Sequence, residues 1–215
     1  MPIICLEGAS AVGKTTTAGI LEATAGAFVV PEVNELFARP ANAPAAWYFE
    51  RQIDRFARAR RHNETRPLVI LDGDALQPLW YNWAYDYAGW QNLDFIERFY
   101  RPRILDRTLD FPDLYFILTT AESELRKRRA GDSRRTRRNF ETHLKMIEPQ
   151  RRYFEALREA SPRRVFFLEA KTPQESAEFI RKHAADLTAR TAAESAAESA
   201  ALFDQMIYWL RAHKA

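Results

Sequence analysis

The stretch that most restricts what this chain can become is Ile3–Thr17, which reads I-I-C-L-E-G-A-S-A-V-G-K-T-T-T. A short apolar run, Ile3 to Leu6, ends at Glu7-Gly8. Gly8, Gly13, Lys14 and Thr15 then fall on the spacing G-x-x-x-x-G-K-[ST] of a phosphate-binding loop. The chemistry accounts for the spacing. A triphosphate needs a ring of backbone N–H donors, and only a tight loop of small residues brings the main chain that close. A helix opening at Gly13-Lys14 aims its positive end at the same phosphates. Lys14 can reach the β- and γ-phosphates, and the Thr15 hydroxyl is placed for Mg²⁺. A chance match would sit in any turn, but here a strand-like run precedes the motif and helical spacing (Ile20, Leu21) follows it.

Downstream, apolar runs alternate with helical patterns. Lys14–Ala25 has helical character and stops at Gly26. Phe28–Val33 reads as a second strand with Pro31 near its end, and Trp47–Asn63 as a long charged helix. Leu68–Leu71 runs straight into Asp72-Gly73-Asp74, as a strand buried on both faces does. Leu76–Tyr87 and Leu93–Leu105 are expected as aromatic helices, Leu114–Leu118 as the fourth strand, and Glu122–Arg129 and Arg137–Leu157 as helices around an interruption at Ala130–Ser133. Val165–Leu168 is the fifth strand and Pro173–Thr188 its following helix. This alternation implies right-handed crossovers. The expected fold is α/β, a five-stranded parallel sheet with helices on both faces in three layers, plus an extra C-terminal helix.

Residues 1–190 are read as one phosphate-loop (P-loop) domain with an arginine-rich lid at about 126–138. Residues 191–215 are read as an amphipathic helical extension, because Leu202, Phe203, Met206, Ile207 and Leu210 share a face. That face packs on its own domain in the simplest reading; a homodimer contact is the second.

Composition narrows the partners. At 47% hydrophobic and 28% charged the chain is an ordinary globular one, and its net charge of +3 is local to Arg126–Arg138 rather than spread as a nucleic-acid surface, so no nucleic-acid partner is expected. The lone Cys5 excludes an intramolecular disulfide and suits a reducing, cytoplasmic setting. No apolar span reaches the length of a transmembrane helix.

In open parallel sheets ligands gather at the carboxyl ends of the strands, which collects Gly8–Thr15, Glu32, Asp72, Asp74, Thr119 and Glu169–Lys171 onto one rim. Glu32, with Glu35 as its competitor, is a candidate general base. Asp72, with Asp74 beside it, is a candidate to hold Mg²⁺ or to bind an acceptor hydroxyl. The arginine run fits a flap that closes over phosphates. The aromatic residues between Trp80 and Tyr100 are expected mainly in the core, with a few free to stack on a flat acceptor. The four histidines show no ligand-like spacing.

Leu6–Thr16 resembles the phosphate loop of thymidylate kinases and deoxynucleoside kinases. Pro112-Asp113 is similar to the Pro-Asp before their fourth strand, Arg126–Arg138 to their lid, and Leu168–Pro173 to the strand and loop beside their adenine. The likeness runs over roughly Pro2–Leu187. It implies ATP and Mg²⁺ as cofactors and a small-molecule acceptor. Gly8, Ala11, Val12, Gly13, Lys14, Thr15, Thr16, Arg129 and Lys171 are then the nucleotide contacts, Thr15 and Asp72 the metal residues, and Lys14, Glu32, Asp72 and Arg128 the catalytic set. The sequence departs from those families at Asp72-Gly73-Asp74, where they carry Asp-Arg or Glu-Arg-Ser, and at Ala11, where they often carry glycine. The missing arginine points toward another hydroxyl-bearing acceptor, such as an antibiotic, a sugar or a modified nucleoside, as in chloramphenicol phosphotransferase-like proteins. The alternative of another class is a non-catalytic ATP-binding switch.

Overall fold

The computed structural model of the chain describes residues 1–88, 91–131, 140–187 and 196–215. Five strands, β1 (Ile3–Gly8), β2 (Phe28–Val30), β3 (Val69–Asp72), β4 (Leu114–Thr119) and β5 (Val165–Glu169), form one sheet in the order β2-β3-β1-β4-β5, parallel at every pairing. The first strand is central. Parallel neighbours need crossovers over the faces, and those helices bury both sides of the sheet.

Side-chain alternation divides the core in two. Ile4, Leu6, Ile70, Phe116 and Leu118 point to one face, against α1 (Lys14–Ala25) and α9 (Pro173–Ala185). Ile3, Cys5, Val69, Leu71, Tyr115 and Ile117 point to the other, against α3 (Trp47–Asn63), α4 (Gln77–Ala84), α5 (Leu93–Leu105) and α8 (Ile147–Ala160). Cys5 is completely buried. Asp113, just before β4, ties it to β1: its Oδ2 accepts from Ile3 N at 2.7 Å, and its own N–H donates to Ile3 O at 2.8 Å.

Several boundaries differ from the sequence expectation, each for a physical reason. The second strand stops at Val30 because Pro31 lacks an N–H for the ladder, and Val33–Leu36 turns into a short helix, α2. The helix expected over Leu76–Tyr87 ends at Ala84, since Asp86 and Tyr87 adopt φ of 50° and 57°, outside the helical range. In place of one helix over Arg137–Leu157, α7 (Phe140–Lys145) and α8 are separated at Met146; residues 137–139, like the rest of 132–139, lie outside the described residues. α6 (Glu122–Ala130) carries the first half of the arginine run.

The terminal helix α10 (Ala196–Ala212) packs on α5 and α8 of the same chain. It buries Leu202, Phe203, Met206, Ile207 and Leu210. Arg101 bonds Asp204 through Nε and Nη2, both at 2.9 Å, and Arg211 Nη2 reaches Asp94 at 2.7 Å and Glu97 at 2.6 Å. Trp83 Nε1 donates to His213 O at 2.8 Å. The first part of the low-complexity repeat, within 188–195, lies outside the described residues. No helix among the described residues is long and apolar enough to cross a membrane.

Candidate active site

The loop after β1 has the geometry its sequence demands. Gly8 has φ of 135°, and a Cβ there would stand 2.3 Å from Leu118 O, so only glycine fits. Gly13 opens α1 with φ of 114°; α1 has no side-chain cap and no acid in its first turn, which leaves its positive end facing the loop. Lys14 arches back over the loop, its Nζ donating to Gly8 O at 2.8 Å. Ala11 sits at φ of 70°, a left-handed conformation that disfavours a Cβ. The glycine common at this position in the resembling families thus has a conformational reason, and this chain tolerates the strain.

Thr15 and Asp72 come together as expected for a metal pair, with Thr15 Oγ1 donating to Asp72 Oδ2 at 2.8 Å. Asp72 is almost completely buried, and its Oδ1 has no hydrogen-bond partner. An orphaned carboxylate oxygen beside a threonine hydroxyl is a hard oxygen donor set, which fits Mg²⁺. No group of three His, Cys, Asp or Glu side chains converges on a metal site among the described residues. Mg²⁺ there would complete its shell with phosphate and water oxygens, as this ion ordinarily does.

One cleft of about 1410 Å³ runs through this region. Its middle is the loop from Gly8 through Ala11, Val12, Gly13, Lys14, Thr15 and Thr16. One end is lined by Glu124, Arg128, Gly131 and Lys171–Gln174. Arg128 braces that end: Nη1 donates to Val12 O at 2.8 Å, Nη2 to Ala170 O at 2.9 Å and Lys171 O at 3.2 Å, and Nε to Glu124 at 3.0 Å. Arg129 is turned away, bonded to Glu141 at 3.2 Å and stacked over the Phe140 ring; it does not line the cleft. Of the proposed lid, Arg134, Arg135, Arg137 and Arg138 lie outside the described residues.

The other end is built by side chains from several helices. Glu32 faces it from the start of α2, and Glu35 does not line it. Tyr48 and Phe49 come from α3, and Gln77, Trp80 and Tyr81 from α4; Tyr48 OH donates to Gln77 Oε1 at 2.8 Å. Gln150 closes it from α8, and Met146 from the break between α7 and α8. An ideal Cβ on Gly73 would stand 3.9 Å from both Glu32 Oε1 and Glu7 Oε1, an ordinary contact distance, so Gly73 lies between two carboxylates. Burial pushes the Tyr48 phenol up to about 12.

Tyr48, Phe49, Gln77 and Met146 were not among the sequence candidates, nor were Glu7, Gln150 and His143. Glu7 is buried and accepts from Asp74 N at 2.7 Å, Gly8 N at 3.2 Å and Gln150 Nε2 at 2.9 Å. Burial raises its pKa, against the pull of Lys14 and those backbone N–H donors. Gln150 holds it from α8. His143, half-buried on α7, lines the cleft; burial and then the Lys14 charge hold its pKa down, with Glu32 opposing. Only Glu7, within the Glu-Gly that precedes the loop, carried a local sequence signal.

Two rim candidates fall elsewhere. Asp74 is not at the rim: it is wholly buried, with Oδ1 accepting from Leu76 N at 3.0 Å and Tyr115 OH at 3.2 Å, and Oδ2 unpartnered. Burial, and then the neighbouring Glu7 charge, lifts its pKa to about 7. Thr119 ends β4 with its hydroxyl on Leu168 O at 3.3 Å, away from the cleft.

The arrangement matches known folds. A deoxyadenosine kinase from M. mycoides with bound dATP superposes with a TM-score of 0.56 over 85% of this chain and 98% of that one, at 16% identity. The fold is that of the P-loop nucleoside and nucleotide kinases. A thymidylate kinase from Candida albicans gives a TM-score of 0.57 at 18% identity, over 85% of this chain and 93% of that one. The same M. mycoides deoxyadenosine kinase with bound dCTP gives 0.53 at 19%, covering 86% and 99%. No protein-family model matches the chain, and no curated protein sequence matches it.

Proposed function

We propose that this chain is an ATP-dependent phosphotransferase that moves a γ-phosphoryl group onto a hydroxyl of a small, ring-bearing acceptor. The observation that carries this reading is a continuous cleft with the phosphate loop at its centre and different side chains on either side of it. The Arg128–Lys171 end suits the base and ribose of ATP, and the Glu32 end suits the acceptor. Loop amides and Lys14 bind the phosphates. Thr15 and Asp72 would hold Mg²⁺, which when bound neutralises phosphate charge. Glu32, exposed and lining the cleft, takes the proton of the acceptor hydroxyl. Tyr48, Trp80 and Tyr81 stack on the acceptor ring and orient it for in-line attack.

The acceptor end favours a hydroxyl over a phosphate. Glu7 and Glu32 face it, Gly73 stands where the resembling families have arginine, and Arg39, at the mouth, is exposed to solvent. A second anion would meet repulsion there. Kinases that share the fold support the general reading, and one of them is described with bound dATP. ADP release measured over nucleosides, nucleoside monophosphates, sugars and hydroxyl-bearing antibiotics tests the proposal. Turnover that needs an unphosphorylated acceptor is expected; slow ATP hydrolysis indifferent to every acceptor would move the chain to the switch class.

A further inference from the structure

Arg55 is the least expected residue in the molecule. It stands in the middle of the charged helix α3, yet it is 1% exposed. Its Nη1 donates to Gln52 Oε1 at 2.6 Å, within its own helix. The other donors leave the helix and reach three main-chain carbonyls: Nε to Pro31 O at 2.7 Å, and Nη2 to Asp72 O at 2.8 Å and Gly73 O at 2.9 Å. Burying a guanidinium is costly unless its hydrogen bonds are satisfied, and here a rigid planar fork meets a set of fixed acceptors.

The place of those carbonyls matters. The ladder between β2 and β3 has its last pair at Val30 and Leu71. Beyond it, Pro31 has no N–H to continue pairing; one strand leads to Glu32, which lines the cleft, and the other ends at Asp72, which is bonded to Thr15. Arg55 bridges the gap one residue past the last rung. It grips the carbonyl just before Glu32 and the carbonyls of Asp72 and Gly73. Gly73, at φ of 84°, takes the backbone conformation in which its carbonyl is held this way. Asp72 has other anchors: Leu6 opposite it in β1, Gly73 N on Leu6 O at 3.0 Å, and the Thr15 hydroxyl. Glu32 lacks a comparable tie to β3.

We infer that Arg55 is a positioning residue that fixes the carboxylate of Glu32 relative to the Thr15–Asp72 pair, acting through the Pro31 carbonyl. The inference rests on the phosphotransferase reading above. In this chain a guanidinium still stands at Gly73, but it rises from α3 instead of following the third-strand aspartate, and its donors face carbonyls instead of the acceptor. It therefore governs where the base sits.

A double-mutant cycle tests this. Arg55→Met keeps volume and removes the fork; Arg55→Lys keeps charge and can reach one carbonyl at most. Each is made alone and with Glu32→Gln, and kcat, the KM for ATP and the thermal unfolding midpoint are measured with the best acceptor. The expected result is a fall in kcat of about 10–100-fold for Arg55→Met and a smaller one for Arg55→Lys, with the KM for ATP within about twofold of wild type. In the Glu32→Gln background the same substitutions should lower kcat by less than about threefold, because the group they misplace is already gone. Equal fold losses in both backgrounds, or an unchanged kcat in a folded variant, overturn the role. If Arg55→Met does not fold, the Arg55→Lys arm decides by the same criterion. A wild-type protein that turns over no acceptor overturns the phosphotransferase reading itself and the inference with it, whereas robust wild-type turnover with equal losses overturns only the placement of Arg55.

Discussion

The two ends of the cleft are made by different means. Around the phosphate loop nearly every functional group comes from one unbroken stretch, Gly8–Thr16, and much of it is backbone: glycines forced to positive φ, an uncapped helix start, and one lysine folded over the loop. The end proposed for the acceptor draws Glu7 from β1, Glu32 from just before α2, Tyr48 from α3, Trp80 and Tyr81 from α4, and Gln150 from α8. It is a side-chain surface assembled by tertiary packing. A backbone site tolerates little variation, while a side-chain site can be rebuilt one residue at a time. This contrast suits a chain that is under 20% identical to the kinases it superposes on and still shares their fold.

The comparison can be broken most directly at Lys14. Lys14→Ala should lower acceptor-dependent ADP formation by about 10²–10³-fold with circular dichroism unchanged, the scale of losing one preorganised charge contact. Near wild-type turnover would remove the loop from the chemistry.

Next in size is a stability effect under the acceptor end. Asp74 has its pKa raised from 3.8 to about 7, so the folded chain holds a proton there that the unfolded chain releases. The stability of the fold is therefore unaffected by this group below about pH 4 and falls as pH rises through the interval to about 7, by roughly 4 kcal/mol in total. Asp74→Asn keeps an acceptor for Tyr115 and Leu76 and abolishes that charge. Urea midpoints compared between the two chains should diverge from pH 4 to pH 7 in favour of the variant. A constant difference would mean that Asp74 stays ionised in the fold.

At the acceptor wall, Tyr81→Ala should raise the KM of a ring-bearing acceptor about five- to tenfold and leave the KM for ATP unchanged, the worth of one stacking contact. A matching rise for ATP would show that the two ends are not separable. The smallest effect belongs to Ala11. Ala11→Gly relieves a left-handed alanine but loosens the unfolded chain, for a net gain of about 0.5 kcal/mol in denaturant unfolding.

The same contrast decides what was readable in the sequence. The five strands announced themselves as apolar runs because both faces of the sheet are buried, and the loop did so because its function is local. The Thr15–Asp72 pair followed from the rule that strand ends gather at one rim. That rule failed at Asp74, two residues beyond the strand, because the turn through Gly73 directs its side chain down onto Tyr115 rather than up to the cleft. Arg55 was unreadable for a different reason. It stands among arginines that belong to a solvated face, and only the packing of α3 across the ends of β2 and β3 sets it apart. His143 and Gln150 reach the cleft from two helices that part at Met146, a break that the apolar pattern of the sequence did not mark. The second strand, expected to run through Pro31 to Val33, ends at Val30, and the short helix Val33–Leu36 that follows had no counterpart in the sequence reading.

Cys5 has a practical consequence. It is the chain's single thiol, it lies completely buried in the central strand, and its surroundings hold the thiol in the unreactive protonated form. A maleimide or disulfide reagent can therefore modify the protein only when strands part on at least one side of the sheet. The wild-type chain carries its own clock for global opening, and the slowing of its labelling by an added compound would register binding without any assay of turnover.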